Sequence, residues 1–517
     1  MSALPQALLD PACYPDAMDG VELLETHISW VFLAGEYAYK VKKPVRLPFL
    51  DFGTLAARRR FCEEELRINR RTAPELYLGV VPIVSGGAGW RVDAPGEPAE
   101  YAIRMRRFPQ DALADRVAKR GALGAAQVDA LAAAIARFHA AIPAAPPGSL
   151  LGDPERVTGP VLANFEEITA SPGDAPRLEG LRRWTRREGG RLREAFAGRK
   201  RDGFVRECHG DLHLGNIVFL GGRPLLFDGI EFSAELRWID VMSEAAFLVM
   251  DLLEHGLDSA AWRFLNAYLE STGDYAGVRV LRYYLVYRAM VRAKVIRMRE
   301  LDGAYLRYLA LADFLAVSAR PALVLMHGLA GSGKTTVAQA LLERVGAIRV
   351  RSDVERKRLF GLEPASRTHS ELYAGIYALE ATQRTYERLR QVVRDVVGSG
   401  RTVIVDAASL RREDREGFAA LARELDASFL IVSCRASHAE LRRRVTLREV
   451  AMRDASEAGV EVLERQIATQ EPIADDELPH VGAVDTEGDL RAAVDALAAR
   501  LSRAEAPAAA RPSTTEA

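Results

Sequence analysis

At 517 residues, 49% hydrophobic and 27% charged, with 70 basic side chains against 71 acidic ones, the chain has a globular composition and a formal net charge of −1. Such balance excludes a nucleic-acid coat protein or a membrane-surface protein held by bulk charge, and at about 100 to 200 residues per domain the length implies two to four domains. Cys13, Cys62, Cys208 and Cys434 are scattered without a C-x2-C pair, which excludes a disulfide framework or a four-cysteine zinc site. With no basic and apolar leader pattern and no apolar run of about 18 residues, a cytoplasmic protein that does not cross a membrane is expected.

The first elements read as strands. "ISWVFLAGEYAYKV", residues 28–41, holds two β-branched and aromatic runs around "AGE", which predicts a hairpin. "TLAARRRFCEEELRINRRTA" spaces Leu55, Phe61, Leu66 and Ile68 among charges as one helix, and "LYLGVVPIV" and "YAIRMRRF" follow as strands. Residues 1–107 are therefore expected to form a small sheet with one main helix. After "RRFPQD" the pattern turns helical, beginning with "AAQVDALAAAIARFHAAI", and stays so to about residue 318, interrupted by short strands around 217–228.

Within this helical region lies "HGDLHLGN", residues 209–216, which supports two readings. His209 and His213 have the H-x3-H separation of a zinc pair, but Cys208 is the one further ligand type close by and no second Cys/His pair is near. Asp211 and Asn216 have the D-x4-N separation of a phosphotransferase loop, in which one residue handles a hydroxyl proton and the other a magnesium ion. The second reading requires three further groups. "PLLFDGIEF" supplies a carboxylate, Asp228, on the next hairpin; "AYKVKK" supplies Lys40 or Lys42; "FCEEELRIN" supplies Glu64 or Glu65 to pair with the lysine. The two lysines share a strand face, so alternation does not separate them; Lys40, in the apolar run, and Glu65 are preferred. Further on, Asp240, Glu244 and Asp251 fall near one helical face, which predicts either a solvated acidic face or a receiver for a cationic amine.

A second phosphate site follows. "ALVLMH" reads as a buried strand, "GLAGSGKT" from Gly328 to Thr335 fits G-x4-G-K-[ST], and "TVAQALLERV" reads as the helix after it. Gly328, Gly331 and Gly333 let backbone N–H groups turn around the phosphates of ATP, Lys334 reaches the β/γ-phosphates, Thr335 holds Mg2+, and Thr336 joins the nucleotide contacts at the helix start. "GAIRVRSD", "RTVIVDAAS" and "SFLIVSCR" alternate with helical stretches, the pattern of a parallel sheet. Asp353, read as ending its strand, is a candidate to orient or deprotonate an acceptor hydroxyl, with Arg356 one turn later to hold an acceptor anion; the alternative is an N-cap and a solvated arginine. Asp406 ends the next strand as a metal-side or merely structural carboxylate. Ala407 follows it and no glutamate is placed to position water, which favours transfer to a bound acceptor over mechanical hydrolysis. In "ELRRRVTLREVAMRDASEAG", Arg442, Arg443, Arg444, Arg448 and Arg453 have helical spacing, either as a solvated face or as a lid in which Arg448 is the candidate to stabilise the transferring phosphoryl group. This domain is placed at 319–502, and the Ala/Pro/Thr-rich residues 503–517 are expected to be disordered.

The loop, Asp228, the strand lysine and the helix glutamate together resemble the aminoglycoside phosphotransferase and choline kinase branch of the protein-kinase-like fold, over about residues 20–318. The resemblance implies Asp211 as acceptor of the substrate hydroxyl proton, Asn216 and Asp228 as magnesium ligands, Lys40 on the nucleotide phosphates, and "MRRF" at the hinge beside adenine. Gly35 stands alone where a protein kinase has a G-x-G-x-x-G lid, and Gly210 and Gly229 replace the arginine and phenylalanine of its motifs. Residues 320–500 resemble P-loop small-molecule and polynucleotide kinases of the gluconate kinase, shikimate kinase, zeta-toxin and 5'-polynucleotide kinase type. As a whole the chain resembles bacterial bifunctional aminoglycoside phosphotransferase-like and ATP-binding proteins.

The expected architecture is thus an α+β bilobal protein-kinase-like domain, small lobe 1–107 and helical lobe 108–318, followed by an α/β P-loop NTPase with helices on both faces of a parallel sheet. The expected activity is an ATP- and Mg2+-dependent phosphotransferase acting through two modules on hydroxyls of small molecules. Its rivals are one active kinase with the other module sensing ATP, a nucleotide-switched binding protein, and a 5'-polynucleotide kinase activity of the second module, the reading that makes nucleic acid a partner. Neither acceptor and no oligomeric state is written in the residues.

Overall fold

The computed structural model describes residues 4–15, 20–47, 50–87, 89–171, 173–298, 301–317, 320–363, 366, 379–451 and 458–505. Arg453 and residues 506–517 of the expected tail lie outside these. By its internal contacts the chain divides into two compact units, one of residues 1–160 and 196–251, the other of 161–195 and 252–517.

The first unit contains a six-stranded antiparallel sheet in the order Val21–Glu25, Ser29–Ala34, Tyr37–Lys42, Pro98–Arg106, Tyr77–Gly86, Gly89–Val92. The expected hairpin is present: Ala34 faces Tyr37 across a two-residue turn. Alternation divides the strand Tyr37–Lys42 between two cores. Tyr39 and Val41 pack with Phe32 and Leu8, while Ala38 packs with Leu33, Cys62 and Tyr77. Lys40 and Lys42 have the parity of Ala38 and so face the helix Leu55–Asn69. That helix is capped by Thr54, which accepts from Ala57 N at 3.1 Å, and buries Arg58, Cys62, Glu65, Ile68 and Asn69 along one stripe. Glu65 is thereby pointed at the two lysines. Two short antiparallel pairs complete the frame: Val205–Glu207 pairs with the distant Trp238–Asp240, and Ile217–Leu220 forms a hairpin with Arg223–Leu226. The chain from 208 to 216 runs between them.

The second unit contains helices Ala175–Arg191, Asp258–Thr272, Val278–Arg297 and Asp302–Ala316 together with a five-stranded parallel sheet. Its order is Ile348–Arg351, Val403–Asp406, Ala322–His327, Ser428–Arg435, Val481–Asp485. Ala322–His327, at the centre, is buried at every position, as a strand covered on both faces must be. The chain leaves its carboxyl end between two neighbours reached in opposite directions, the switch point at which open α/β sheets bind ligands. The phosphate loop occupies that point. Asp353 does not end a strand: the strand stops at Arg351, and Asp353 lies in the first turn of the helix Ser352–Leu359.

Candidate active sites

The loop 208–216 is fixed mainly by one buried carboxylate. Glu244 accepts from His209 N at 3.1 Å, Gly210 N at 2.6 Å and His139 Nε2 at 3.0 Å. Burial pushes Glu244 upward, but His139 and these donors outweigh it and hold its pKa at about 2. Gly210 has φ 89°, and a Cβ there would stand 2.9 Å from Leu236 O, so the tight turn into Asp211 requires glycine. Asp251 accepts from Leu214 N at 2.9 Å, and Asp240 is bidentate with Arg199. Asp240, Glu244 and Asp251 are each at most 3% exposed, so they form neither a solvated face nor a receiver for a cation. They are internal acceptors, the state in which buried carboxylates persist.

The two histidines are engaged locally. His209 Nε2 lies 2.8 Å from Phe227 O, a carbonyl, so this nitrogen carries the proton; burial lowers the pKa of the ring. His213 Nδ1 accepts from Gly215 N at 3.0 Å. Among the described residues the metal-capable grouping is His139, Cys208 and Glu244, which includes neither of the H-x3-H pair.

What the loop presents is Asp211, with a half-exposed side chain, and Asn216, whose Nδ2 donates to Asp211 O at 2.9 Å and Oδ2 at 3.2 Å. Asp228 follows on the adjoining hairpin with φ 62°, a left-handed conformation that costs a non-glycine residue roughly 1 kcal/mol or more and collects at functional sites. Its N–H donates to Tyr77 Oη at 3.1 Å, and Gly229 N donates to Asn69 Oδ1 at 2.8 Å. Lys40 Nζ bonds Glu65 Oε1 at 2.7 Å and also Asp228 Oδ1. Lys42 Nζ bonds the other oxygen, Glu65 Oε2, at 2.7 Å, and also Glu231 Oε1, with the ring of Phe52 4.9 Å away. Glu64 turns elsewhere, to Arg67 and Arg237. Burial disfavours the Lys40 charge, but Asp228 and Glu65 outweigh it and raise its pKa. A cavity of ≈ 410 Å³ opens between the Gly35–Glu36 turn and the segment Arg106–Gln110, where "MRRF" ends. Glu231 escaped the sequence reading, although it stands three residues after Asp228 in the quoted hairpin.

In the phosphate loop, Lys334 Nζ folds back to Gly328 O at 2.7 Å and Leu329 O at 2.8 Å. Burial depresses its pKa against the pull of Asp406. Gly331 has φ 79°, and a Cβ there would meet Leu441 O at 2.9 Å. Among the described residues, Ser332 Oγ and Asp406 Oδ2 at this site are buried with no hydrogen-bond partner. Such orphans fit a polar ligand and a cation better than a closed core. Thr335 and Thr336 lie in the first turn of the helix Lys334–Val345. Arg356 Nη1 donates to Thr382 Oγ1 at 3.1 Å. Of the arginine row, Arg442 and Arg443 pair at the surface with Glu464 and Glu440, Arg448 donates to Ala458 O at 2.6 Å, and Arg444 reaches Gly331 O of the loop itself at 3.4 Å.

Residues 55–281 match the family described as "Phosphotransferase enzyme family", and residues 323–473 match "AAA domain". "Uncharacterized protein Rv2004c" of Mycobacterium tuberculosis is 32% identical over 395 residues, covering 75% of this chain and 78% of the relative; "Uncharacterized protein Mb2027c" of Mycobacterium bovis matches equally. Among solved structures, a choline/ethanolamine kinase family protein from Mesorhizobium loti is similar over 61% of this chain and 100% of its own, at 14% identity and TM-score 0.36. A gluconokinase from Sinorhizobium meliloti 1021 is similar over 36% of this chain and 95% of its own, at 20% identity and TM-score 0.26.

Proposed function

The chain belongs to the family of these mycobacterial proteins, with a phosphotransferase domain and a P-loop domain in one polypeptide, and we propose that it is an ATP-dependent kinase with two sites, each passing the γ-phosphoryl group to a hydroxyl of a small molecule. The observation that carries the reading is Lys40, held between Glu65 and Asp228 beside a loop that presents Asp211 and Asn216. A second, independent phosphate loop lies in the same chain.

At the first site the Asp211 carboxylate orients the acceptor hydroxyl and takes its proton as the O–P bond forms and the bond from Pγ to the β-phosphate bridging oxygen breaks. Phosphoryl transfer passes through a loose transition state, so positioning and charge do most of the work. Lys40, released from Asp228, steadies the nucleotide phosphates. Asn216 and Asp228 are the residues to hold Mg2+, and Thr335 with Asp406 at the second site, where the orphaned Asp406 Oδ2 matches a cation. Bound there, the ion neutralises charge building on the phosphate oxygens. At the second site Lys334 exchanges its loop carbonyls for phosphate oxygens, Thr336 adds a contact at the helix start, Asp353 orients the acceptor, and Arg448 covers the transferring group. No described helix is long and apolar enough to cross a membrane; the location we propose is the cytoplasm.

The test is γ-labelled ATP with a panel of hydroxyl metabolites and a 5'-hydroxyl oligonucleotide, on the full chain and on Asp211→Asn and Lys334→Met. Two kinases require each variant to lose one acceptor-dependent activity and keep the other. One acceptor-dependent activity, lost in both variants, establishes a single kinase with the other module sensing ATP, and tight nucleotide binding without labelled product overturns the kinase reading.

A further inference from the structure

The edge of the P-loop sheet is finished by a helix from the region that matches the phosphotransferase family. The strand Ile348–Arg351 is an edge strand, whose outer amide groups need partners. The helix Asp258–Thr272 supplies them through one side chain: Asn266 Nδ2 donates to Ala347 O at 2.9 Å, and Asn266 Oδ1 accepts from Arg349 N at 2.7 Å. A neighbouring strand offers the same donor and acceptor from its backbone. One turn later Glu270 accepts from Arg349 Nη2 at 3.1 Å and from Arg351 Nη1 at 3.0 Å. The helix end is tied as well, since Arg358 donates to Glu270 O, and Arg388 Nη2 donates to Gly273 O at 3.3 Å.

Arg351 closes its strand directly opposite Asp406 on the next one. Its Nε stands 3.9 Å from Asp406 Oδ2, too far for a hydrogen bond. That oxygen is buried and has no hydrogen-bond partner among the described residues. Nη1 of the guanidinium is thus held by Glu270, while Nε stands 3.9 Å from a carboxylate placed to hold magnesium. A planar, permanently charged fork released from Glu270 has Asp406 as a nearby bidentate partner, and the pairing would occupy the lone pairs a cation needs.

We infer that Glu270 is a positioning residue of the P-loop site: it holds Arg351 away from Asp406 and keeps that carboxylate open to magnesium. The inference rests on the second site being a magnesium–nucleotide site, as proposed above. It makes a residue of the phosphotransferase match part of the machinery of the other domain.

The test is the magnesium dependence of binding of a fluorescent N-methylanthraniloyl ATP to the full chain, the second-site share being the signal that Lys334→Met removes. Glu270→Ala is expected to raise the magnesium midpoint of that share about tenfold, the usual effect of losing an outer-shell partner. Binding without magnesium should not change. Adding Arg351→Met should return the midpoint to the wild-type value, because the competitor for Asp406 is then gone; a purely structural role for Glu270 predicts no such rescue. Should Glu270→Ala not fold by thermal melting, Glu270→Gln serves in both single and double variants. A midpoint within twofold of wild type, or a shift that persists beside Arg351→Met, overturns the inference. A wild-type chain whose second-site binding ignores magnesium overturns the site reading and the inference with it.

Discussion

Lys40 and Lys42 occupy the same face of one strand and touch the same glutamate, yet their removal should have opposite consequences. Lys42 and Glu65 have side chains 0% exposed and Glu231 is 5% exposed, so Lys42→Met strands Glu231 in the interior. Breaking a buried pair from one side costs about 3–5 kcal/mol. Glu65 is spared, because Lys40 still holds it at 2.7 Å. Lys40→Met is different: Glu65 keeps Lys42, and Asp228, 46% exposed, returns to water. Its stability cost should be about 1 kcal/mol or less, while nucleotide-dependent transfer at the first site is lost. The assay is urea unfolding of nucleotide-free protein, following the transition of the first unit, beside acceptor-dependent transfer by the same preparations. A second substitution sharpens it: Lys42→Met with Glu231→Leu should recover most of the loss, since apolar replacement of both partners is close to neutral. Equal destabilisation by the two lysine substitutions, or a silent Lys42→Met, would refute the division of labour drawn from the geometry.

Glu244 should impose an acid limit. Its folded pKa, about 2, lies below the ordinary 4.5, so its contribution is complete above pH 4.5, falls as pH drops toward 2, and amounts to about 3 kcal/mol at neutral pH. Unfolding of wild type and Glu244→Gln at pH 7 and pH 3.5 measures this, and a stability gap that fails to narrow at the lower pH contradicts it. Gly331→Ala should weaken second-site nucleotide binding by about tenfold or more, because a Cβ at φ 79° and 2.9 Å from Leu441 O forces the phosphate loop to shift, with strain of about 1–2 kcal/mol from the left-handed backbone alone. Equilibrium binding in which the first-site share is unchanged is the expected control, and wild-type affinity at the second site would show that the loop absorbs the methyl group.

Patterns confined to neighbouring residues were legible in the sequence. The phosphate loop from Gly328 to Thr335 and the Asp211–Asn216 pair are contiguous, and strand and helix patterns around them gave the context. The meeting of Lys40, Glu65 and Asp228 joins three distant segments, and their order along the chain was enough to propose it. Choosing between the lysines was beyond the sequence for a physical reason: both reach Glu65, and the difference lies in Asp228 against Glu231. The acidic row Asp240, Glu244, Asp251 misled, because periodicity reports a face and not whether distant donors such as His139 and Arg199 arrive to cover it. The strands Val21–Glu25 and Val481–Asp485 went unseen because they are outer strands, five residues each and largely exposed or half-buried, without a clean alternation. Asp353 was assigned to a strand because the turn from strand to helix after Arg351 has no intervening loop.

Asn266 makes the sheet edge depend on a residue distant in sequence. A free-standing P-loop protein must guard its outermost strand within its own sequence, with charge, proline or a further strand. Here one side-chain amide, 81 and 83 residues before its partners in the chain, does so. Loss of that one side chain would therefore open the sheet edge at Ala347 and Arg349 together.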